Sequence, residues 1–234
     1  MELTPNEGKK CIIEVDGARY ERLPIKTHLI TDKDDIVEVA QQYGAPVLSQ
    51  PGDVLFITEK IVACTQGRAI PLKDIKPRKL AYWLSDKVTK TPHGIGLGMP
   101  ETMEYALREC GVLRILFAAA VSVIGKKIFK KKGWFYDVAG YKARSIDGPC
   151  HNTIPPYNHY VVLGPENPDK VARECAEKLG YRVIVVDIND LEGQILGTSD
   201  PSMDRDLYVK ILKDNPLGQD NQQTPMGVIR TVKE

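Results

Sequence analysis

Several features that would assign a sequence quickly are missing from this one. Net charge is nearly absent: 32 Lys and Arg stand against 31 Asp and Glu, a formal +1. The global electrostatic pull that carries nucleic-acid binders is therefore missing, and nucleic acid is not expected as a partner. There is no C-x-x-C pair. The five cysteines, Cys11, Cys64, Cys110, Cys150 and Cys175, are odd in number and widely spaced, which argues against a zinc site or a disulfide framework and for reduced thiols. The opening Met1-Glu2-Leu3-Thr4-Pro5-Asn6-Glu7 has neither the basic nor the apolar region of a secretory signal, so a cytoplasmic location is the expectation. No G-x-x-x-x-G-K-[ST] loop, G-x-S-x-G elbow or H-E-x-x-H pair occurs, which removes the commonest phosphate, hydrolase and zinc-protease signatures.

No apolar run is long enough to cross a bilayer. Gly111 to Gly125 reads GVLRILFAAAVSVIG with Arg114 inside it, whereas a spanning helix needs about 20 residues. Lys126, Lys127, Lys130, Lys131 and Lys132 follow, with Ile128, Phe129, Trp134 and Phe135 interleaved. Such a pattern suits an anionic membrane surface or a phosphate-rich ligand. It is equally a buried element leading into a solvated basic turn, which is the expectation adopted, with no membrane contact.

What is present fits an ordinary folded chain. With 234 residues, 42% hydrophobic and 27% charged, there is enough chain for a substantial core, in one domain over 1–234 or two small lobes. Strand signals are clearest at VLFIT (54–58), after Pro51-Gly52-Asp53, and at VIVVDI (183–188), after Gly180-Tyr181-Arg182. Two further strands are expected at Tyr160–Leu163 and Met226–Arg230. Helical periodicity covers Asp34–Tyr43, Pro100–Cys110 and Pro168–Leu179. The last is expected to take Asn167 as N-cap, Pro168 at its first position and Gly180 as its C-terminal glycine. Mixed strands and helices predict an α/β or α+β chain.

Four polar clusters lie where strands stop. Asp187-Ile188-Asn189-Asp190-Leu191-Glu192-Gly193 offers carboxylates that suit Mg²⁺ or Mn²⁺, though it is also an ordinary acidic turn. Ser145-Ile146-Asp147-Gly148-Pro149 places Asp147 before a Gly-Pro break, where an Asx turn is the competing reading. Asn215-Pro216-Leu217-Gly218-Gln219-Asp220-Asn221-Gln222-Gln223-Thr224-Pro225 is an amide-rich loop that fits a phosphate or base cradle, unless its amides satisfy one another. Thr58-Glu59-Lys60 through Gln66-Gly67-Arg68 brings Lys60 and Arg68, a point charge and a fork for phosphate, or a pair of surface salt bridges.

Taken in order, these four clusters resemble the coenzyme F-420 gamma-glutamyl ligases, which attach glutamate to a deazaflavin precursor using GTP and a divalent metal. Arg22-Leu23-Pro24-Ile25-Lys26 is similar to that family's N-terminal Leu-Pro nucleotide segment, and GDVLFITEKIVACTQGR (52–68) to its Gly-Asp-Val strand and closing Gly-Arg. Ser145-Ile146-Asp147 resembles its Gly-Ile-Asp metal motif. VIVVDIN with Asp190-Leu191-Glu192-Gly193 resembles its Asp-Thr-x-Gly metal motif, and Gly218 to Arg230 its closing glycine-rich segment and strand. The resemblance covers most of the chain. It departs where the family has a lysine (here Cys64), a metal-binding asparagine (near Cys150) and a threonine (Leu191); either Asp187, Asn152 or the 219–223 amides compensate, or the nucleotide and substrate differ from the family's.

The resemblance implies an α+β fold, with mixed sheets, packed helices and intertwined lobes, that forms a homodimer. It also implies a ligase that phosphorylates a carboxylate to an acyl phosphate, which a glutamate-like amine attacks. Asp147, Asp190, Lys60 and Arg68 would be catalytic. Leu23, Pro24, Ile25, Lys26, Glu59, Lys60, Gly218, Gln219, Asp220, Asn221, Gln222, Gln223, Thr224 and Pro225 would bind GTP or ATP. Asp147, Asp190, Asp187 and Asn152 would hold Mg²⁺ or Mn²⁺, with a monovalent cation alongside. The other readings are a nucleotide or metabolite sensor on the same scaffold and a peripheral membrane-surface module.

Overall fold

The two strongest apolar runs lie side by side. In the computed structural model, which describes residues 3–88, 96–128, 130, 133–189, 193–218 and 221–232, β3 (Val54–Thr58) pairs in parallel with β6 (Arg182–Ile188), Val54 opposite Arg182 and Thr58 opposite Val186. β8 (Met226–Val232) runs antiparallel on the other side of β3. The sheet is completed by β2 (Ala18–Ile25), β1 (Ile12–Val15) and β7 (Gly193–Thr198), in the order β1-β2-β8-β3-β6-β7. Side chains alternate across it. Leu55, Ile57, Val183 and Val185 face one core with Ile36, Val39, Val171 and Cys175. Val54, Phe56, Ile184 and Val186 face a second core with Ile195, Tyr208, Ile211 and Leu212. Both faces are covered, which is why these strands read as unbroken apolar runs rather than as alternation.

The covering helices are α1 (Ile36–Val39), continued by a wider π-helical turn over Ala40–Gly44, α2 (Glu59–Thr65), α8 (Pro168–Leu179) and α9 (Arg205–Leu212). The bounds of α8 are those the sequence predicts, and Gly180 closes it in the left-handed region with its N–H on the Ala176 carbonyl. Its start differs: Asn167 is itself left-handed and makes no side-chain cap, and its carbonyl instead accepts from Lys170 and Val171. The predicted helix from Asp34 to Tyr43 is present as α1 plus the π turn, with Asp35 accepting from the Val37 and Glu38 N–H groups.

By its internal contacts the chain divides into two compact units. One, the sheet unit just described, is made of Met1–Gly67 and Pro165–Glu234; the other is the continuous segment Arg68–Gly164. This helical unit holds a two-stranded antiparallel ribbon, β4 (Ala69–Pro71) with β5 (Tyr160–Val162), and α3 (Lys79–Ser85), α4 (Pro100–Cys110), α5 (Val112–Ile128), α6 (Trp134–Ala139) and α7 (Tyr141–Arg144). Its core gathers Ala81, Leu84, Leu97, Met103, Leu107, Ile115, Ala118, Ile146 and Val161.

The apolar run after Gly111 corrects the sequence expectation. It is helix α5, but it is not a buried element: Leu113 is 84% and Phe117 63% exposed, and Leu116, Val123 and Ile124 are exposed too. Among the described side chains a narrow stripe, Ile115 and Ala118 with the half-buried Val112 and Ala119, meets the core. Hydrophobicity summed along a segment says nothing about how much of its circumference has a neighbour. Of the lysines that follow, Lys130 is described and exposed; Phe129, Lys131 and Lys132, like the side chains of Lys126, Lys127 and Ile128, lie outside the described residues. No described helix is long and apolar enough to cross a membrane.

Candidate functional site

Within the sheet unit, the Leu-Pro segment is strand. Leu23, Pro24 and Ile25 are buried in β2, opposite Val228, Gly227 and Met226 of β8, and Lys26 is the exposed member of the group. Pro24 is tolerated because β1 pairs only with residues up to Glu21, so β2 is an edge at that point and no ladder donor is missed. Just upstream the fully buried Arg22 pairs with Asp214, and donates to the carbonyls of Ile211 at 3.1 Å and Lys10 at 2.5 Å. Burial alone would raise the Asp214 carboxyl, but the Arg22 guanidinium holds it below its usual range. This pair anchors the start of the amide-rich loop.

That loop is fastened internally. Asn215 is buried in the left-handed region, its amide donating to the Gly218 carbonyl at 2.8 Å while its side-chain oxygen has no partner among the described residues. The Thr224 hydroxyl donates to the Leu217 carbonyl, and Asn6 reaches both Pro216 and Thr224. The Gln223 amide donates to the Thr27 carbonyl at 2.9 Å and its own carbonyl accepts from the Thr27 N–H. The Pro225 carbonyl accepts from the Thr58 N–H, so the loop ends against the start of α2. There Glu59 is buried and Lys60 exposed. Leu23–Lys26, Glu59, Lys60 and the described part of the loop, Gly218 and Asn221–Pro225, thus belong to one end of one sheet. Gln219 and Asp220 lie outside the described residues.

A polar chain that sequence reasoning missed adjoins this region. His28 meets the Tyr43 hydroxyl at 2.8 Å through Nδ1 and the Asp34 carboxylate at 2.9 Å through Nε2. The Asp34 carboxyl sits below its usual range chiefly because it accepts the Thr31 backbone N–H, with His28 adding to the effect. Tyr43 reaches His28 from the π turn, and no spacing rule for a regular helix would have placed it there. Cys64, where the family resemblance puts a lysine, is buried in the sheet unit.

Asp187 occupies the end of β6 opposite Gln194; Asp190 lies outside the described residues. Asp147 and Arg68 belong to the helical unit. Asp147 exchanges both backbone bonds with Val162, at 2.8 and 2.9 Å, just after the buried Ser145 and Ile146. Asn152 is exposed in the turn that follows. The Arg68 fork is engaged, Nε on the Gly164 carbonyl at 2.6 Å and Nη2 on the Glu109 carboxylate at 2.5 Å. The oxygens of Asp147, Asn152 and Asp187 have the chemistry a hard divalent cation takes. Among the described residues, however, no group of three His, Cys, Asp or Glu is arranged to hold one, so the described residues alone do not make a metal centre.

A family model described as F420-0:Gamma-glutamyl ligase matches residues 24–203. The chain belongs to this family. Its span opens at the buried Leu-Pro segment and closes just before α9, taking in Glu59, Lys60, Arg68, Asp147 and Asp187. A relative from Methanopyrus kandleri, named coenzyme F420:L-glutamate ligase, is 26% identical over 247 residues, covering 92% of this chain and 87% of its own length. Within this gamma-glutamyl ligase scaffold, the Asp of the Gly-Asp-Val motif proves to be a structural residue. Asp53 accepts from Ser49, Gln50 and Arg230, and burial, which would raise its carboxyl, is outweighed by these donors.

Proposed function

We propose that this chain is a nucleotide- and metal-dependent ligase that joins a glutamate-like amine to a small-molecule carboxylate. The observation that carries the reading is the gamma-glutamyl ligase match across residues 24–203, and the relative's name supplies glutamate as the amine. A carboxylate oxygen of the acceptor attacks the γ-phosphorus of GTP, or of ATP, and the nucleoside diphosphate leaves. The amine nitrogen then attacks the acyl phosphate carbon, inorganic phosphate departs, and the nitrogen loses a proton as the amide forms.

The exposed ammonium groups of Lys26 and Lys60 meet phosphate charge, and the described part of the amide-rich loop, tied through Gly218 and Thr224, gives the nucleotide a wall. Arg68, committed to Glu109 and Gly164, positions rather than transfers. Asp147, Asn152, Asp187 and Asp190 are the candidate ligands for Mg²⁺ or Mn²⁺, which would supply charge neutralisation on the phosphates, with a monovalent cation as a further expected cofactor.

The test is amide product measured by mass spectrometry, with GTP or ATP, Mg²⁺ or Mn²⁺ or chelator, and a panel of carboxylates. Asp147→Asn and Asp190→Asn are each expected to lose metal-dependent turnover with an unchanged melting temperature; wild-type turnover in either variant removes that residue from the site. The internal bonding of the amide loop and the buried Cys64 favour one second reading, a nucleotide or metabolite sensor. GTP binding with no turnover on any acceptor would select it.

The family resemblance also carries a cytoplasmic homodimer. The exposed residues Leu113, Leu116, Phe117, Val123 and Ile124 recur on α5 at steps of three, four and seven residues, with Tyr82 and Trp83 of α3 also exposed in the same unit. A stripe with this spacing packs best on a like helix, so a second copy is the occupant proposed. Salt-sensitive sedimentation with anionic liposomes would point to a membrane instead.

A further inference from the structure

The helical unit contains a cavity of about 350 Å³ among the end of α4, the first turn of α5 and the junction of α6 with α7, lined by Glu109, Cys110, Arg114, Gly140, Tyr141 and Lys142. That volume is at the small end for ligand sites and suits a metabolite of amino-acid size.

Its charge is unbalanced. Glu109 is already paired with Arg68 at 2.5 Å. Arg114 and Lys142 form no ion pair with any described carboxylate. The Arg114 guanidinium is oriented by its Nε bond to the Val138 carbonyl at 2.9 Å. Burial raises the Cys110 thiol and Glu109 adds to that, while Arg114 and Lys142 pull it down, so the carboxylate and both cations all bear on the same sulfur. With Glu109 held by Arg68, an anion entering the cavity would be attracted by both remaining cations. The floor is shaped to allow this. Gly140 has φ 89°, and a Cβ there would lie 2.8 Å from Arg114 Nη2. Only glycine lets the guanidinium rest against the backbone at that point.

We propose that this cavity is a binding site for a small dicarboxylate, one carboxylate held by the Arg114 guanidinium and the other by Lys142. Arg supplies a planar fork and Lys a point charge, and the two arise from different helices, which suits two separated anionic groups better than one phosphate. On the ligase reading, on which the ligand's identity rests, the occupant is the amino dicarboxylate whose amine becomes the amide nitrogen.

The experiment is calorimetric titration of the full chain with L-glutamate, glutarate, L-glutamine and inorganic phosphate, each with and without GTP and Mg²⁺. Arg114→Gln, Lys142→Gln and Gly140→Ala are the variants. Arg114 and Lys142 are exposed, so their variants should fold, which a thermal melt checks. Glutamate and glutarate are expected to bind, glutamine at least tenfold more weakly, and each variant to lose at least tenfold in glutamate affinity. Glutamate is also expected to slow maleimide labelling of Cys110, read by peptide mass. Absence of glutamate binding in both conditions, unchanged affinity in the two charge variants, or binding of phosphate alone overturns the proposal. Amide turnover with an unchanged glutamate KM in both charge variants would refute the pocket and leave the ligase reading standing. Variant-sensitive glutamate binding without turnover would do the reverse.

Discussion

Glu104 is the most consequential carboxylate that has no part in the proposed chemistry. It is 1% exposed on α4, takes Arg78 from the start of α3 in a fork with bonds of 2.9 to 3.2 Å, and accepts Arg108 at 2.7 Å one turn along. Burial alone would raise its carboxyl; the bonds from Arg78 and then Arg108 win and bring it from 4.5 to about 2. A depressed folded value stabilises the native state above the unfolded pKa and ceases to do so as pH falls. Acid melts should therefore show the helical unit losing stability between about pH 4.5 and pH 2. Glu104→Gln should flatten that dependence and cost about 2 kcal/mol near neutrality, since charge-assisted bonds are lost while both arginines can still reach water. Little of this was legible at the residue scale. The sequence shows that Arg68 and Asp53 are present, but not that Glu109 lies against the first or that Arg230, far along the chain, lies against the second. Partner identity is a long-range property, and a local motif is silent about it. The same holds for the loop amides, whose composition allowed both a ligand cradle and the internal network observed.

Elements were far more readable. The bounds of α4 and α8 match expectation because proline at the first position, a periodic apolar stripe and a closing glycine are all local signals. β3 and β6 were equally plain as apolar runs bounded by turn formers. The environment of each element is not a local signal: the hydrophobicity of α5 predicts burial that its exposed face lacks, and the residue type of Asn167 predicts a side-chain cap that it does not make. One contact between elements makes a sharp prediction. β7 crosses the start of α8 so closely that a Cβ on Gly197 would lie 2.3 Å from the carbonyl carbon of Pro168 and 2.6 Å from the Asp169 nitrogen. These are backbone atoms and cannot swing aside. Asp169 also accepts the Thr198 N–H at 2.8 Å and pairs with Arg205 of α9, so displacing it disturbs three elements at once. Gly197→Ala is expected to destabilise by about 3 kcal/mol, by overpacking. A denaturation midpoint within error of wild type would show that the strand and helix can separate at small cost.

For the whole molecule, the proposed homodimer is the prediction at stake. Leu113→Glu with Phe117→Glu places two charges on exposed positions, so each protomer should keep its fold while sedimentation velocity shifts from dimer to monomer. A wild-type chain that sediments as a monomer at micromolar concentration would remove the second copy as the occupant of that face. The local signals mix strands with helices, which leaves α/β and α+β both open; the family resemblance implies α+β, and the mixed sheet is consistent with it. The division into two units was not legible, because no linker composition marks Gly67–Arg68 or Gly164–Pro165. The strand order has a further consequence for how the chain acquires its structure. β8 sits between β2 and β3 and is hydrogen-bonded to both, yet every other described element is synthesised before it. Until the ribosome releases the segment after Met226, the β1–β2 hairpin has no sheet to join and β3 has an open edge, while Arg68–Gly164 is already complete. A nascent chain stalled short of β8 should therefore protect the helical segment from protease and leave the hairpin digestible, making this strand a late-placed keystone among the described elements.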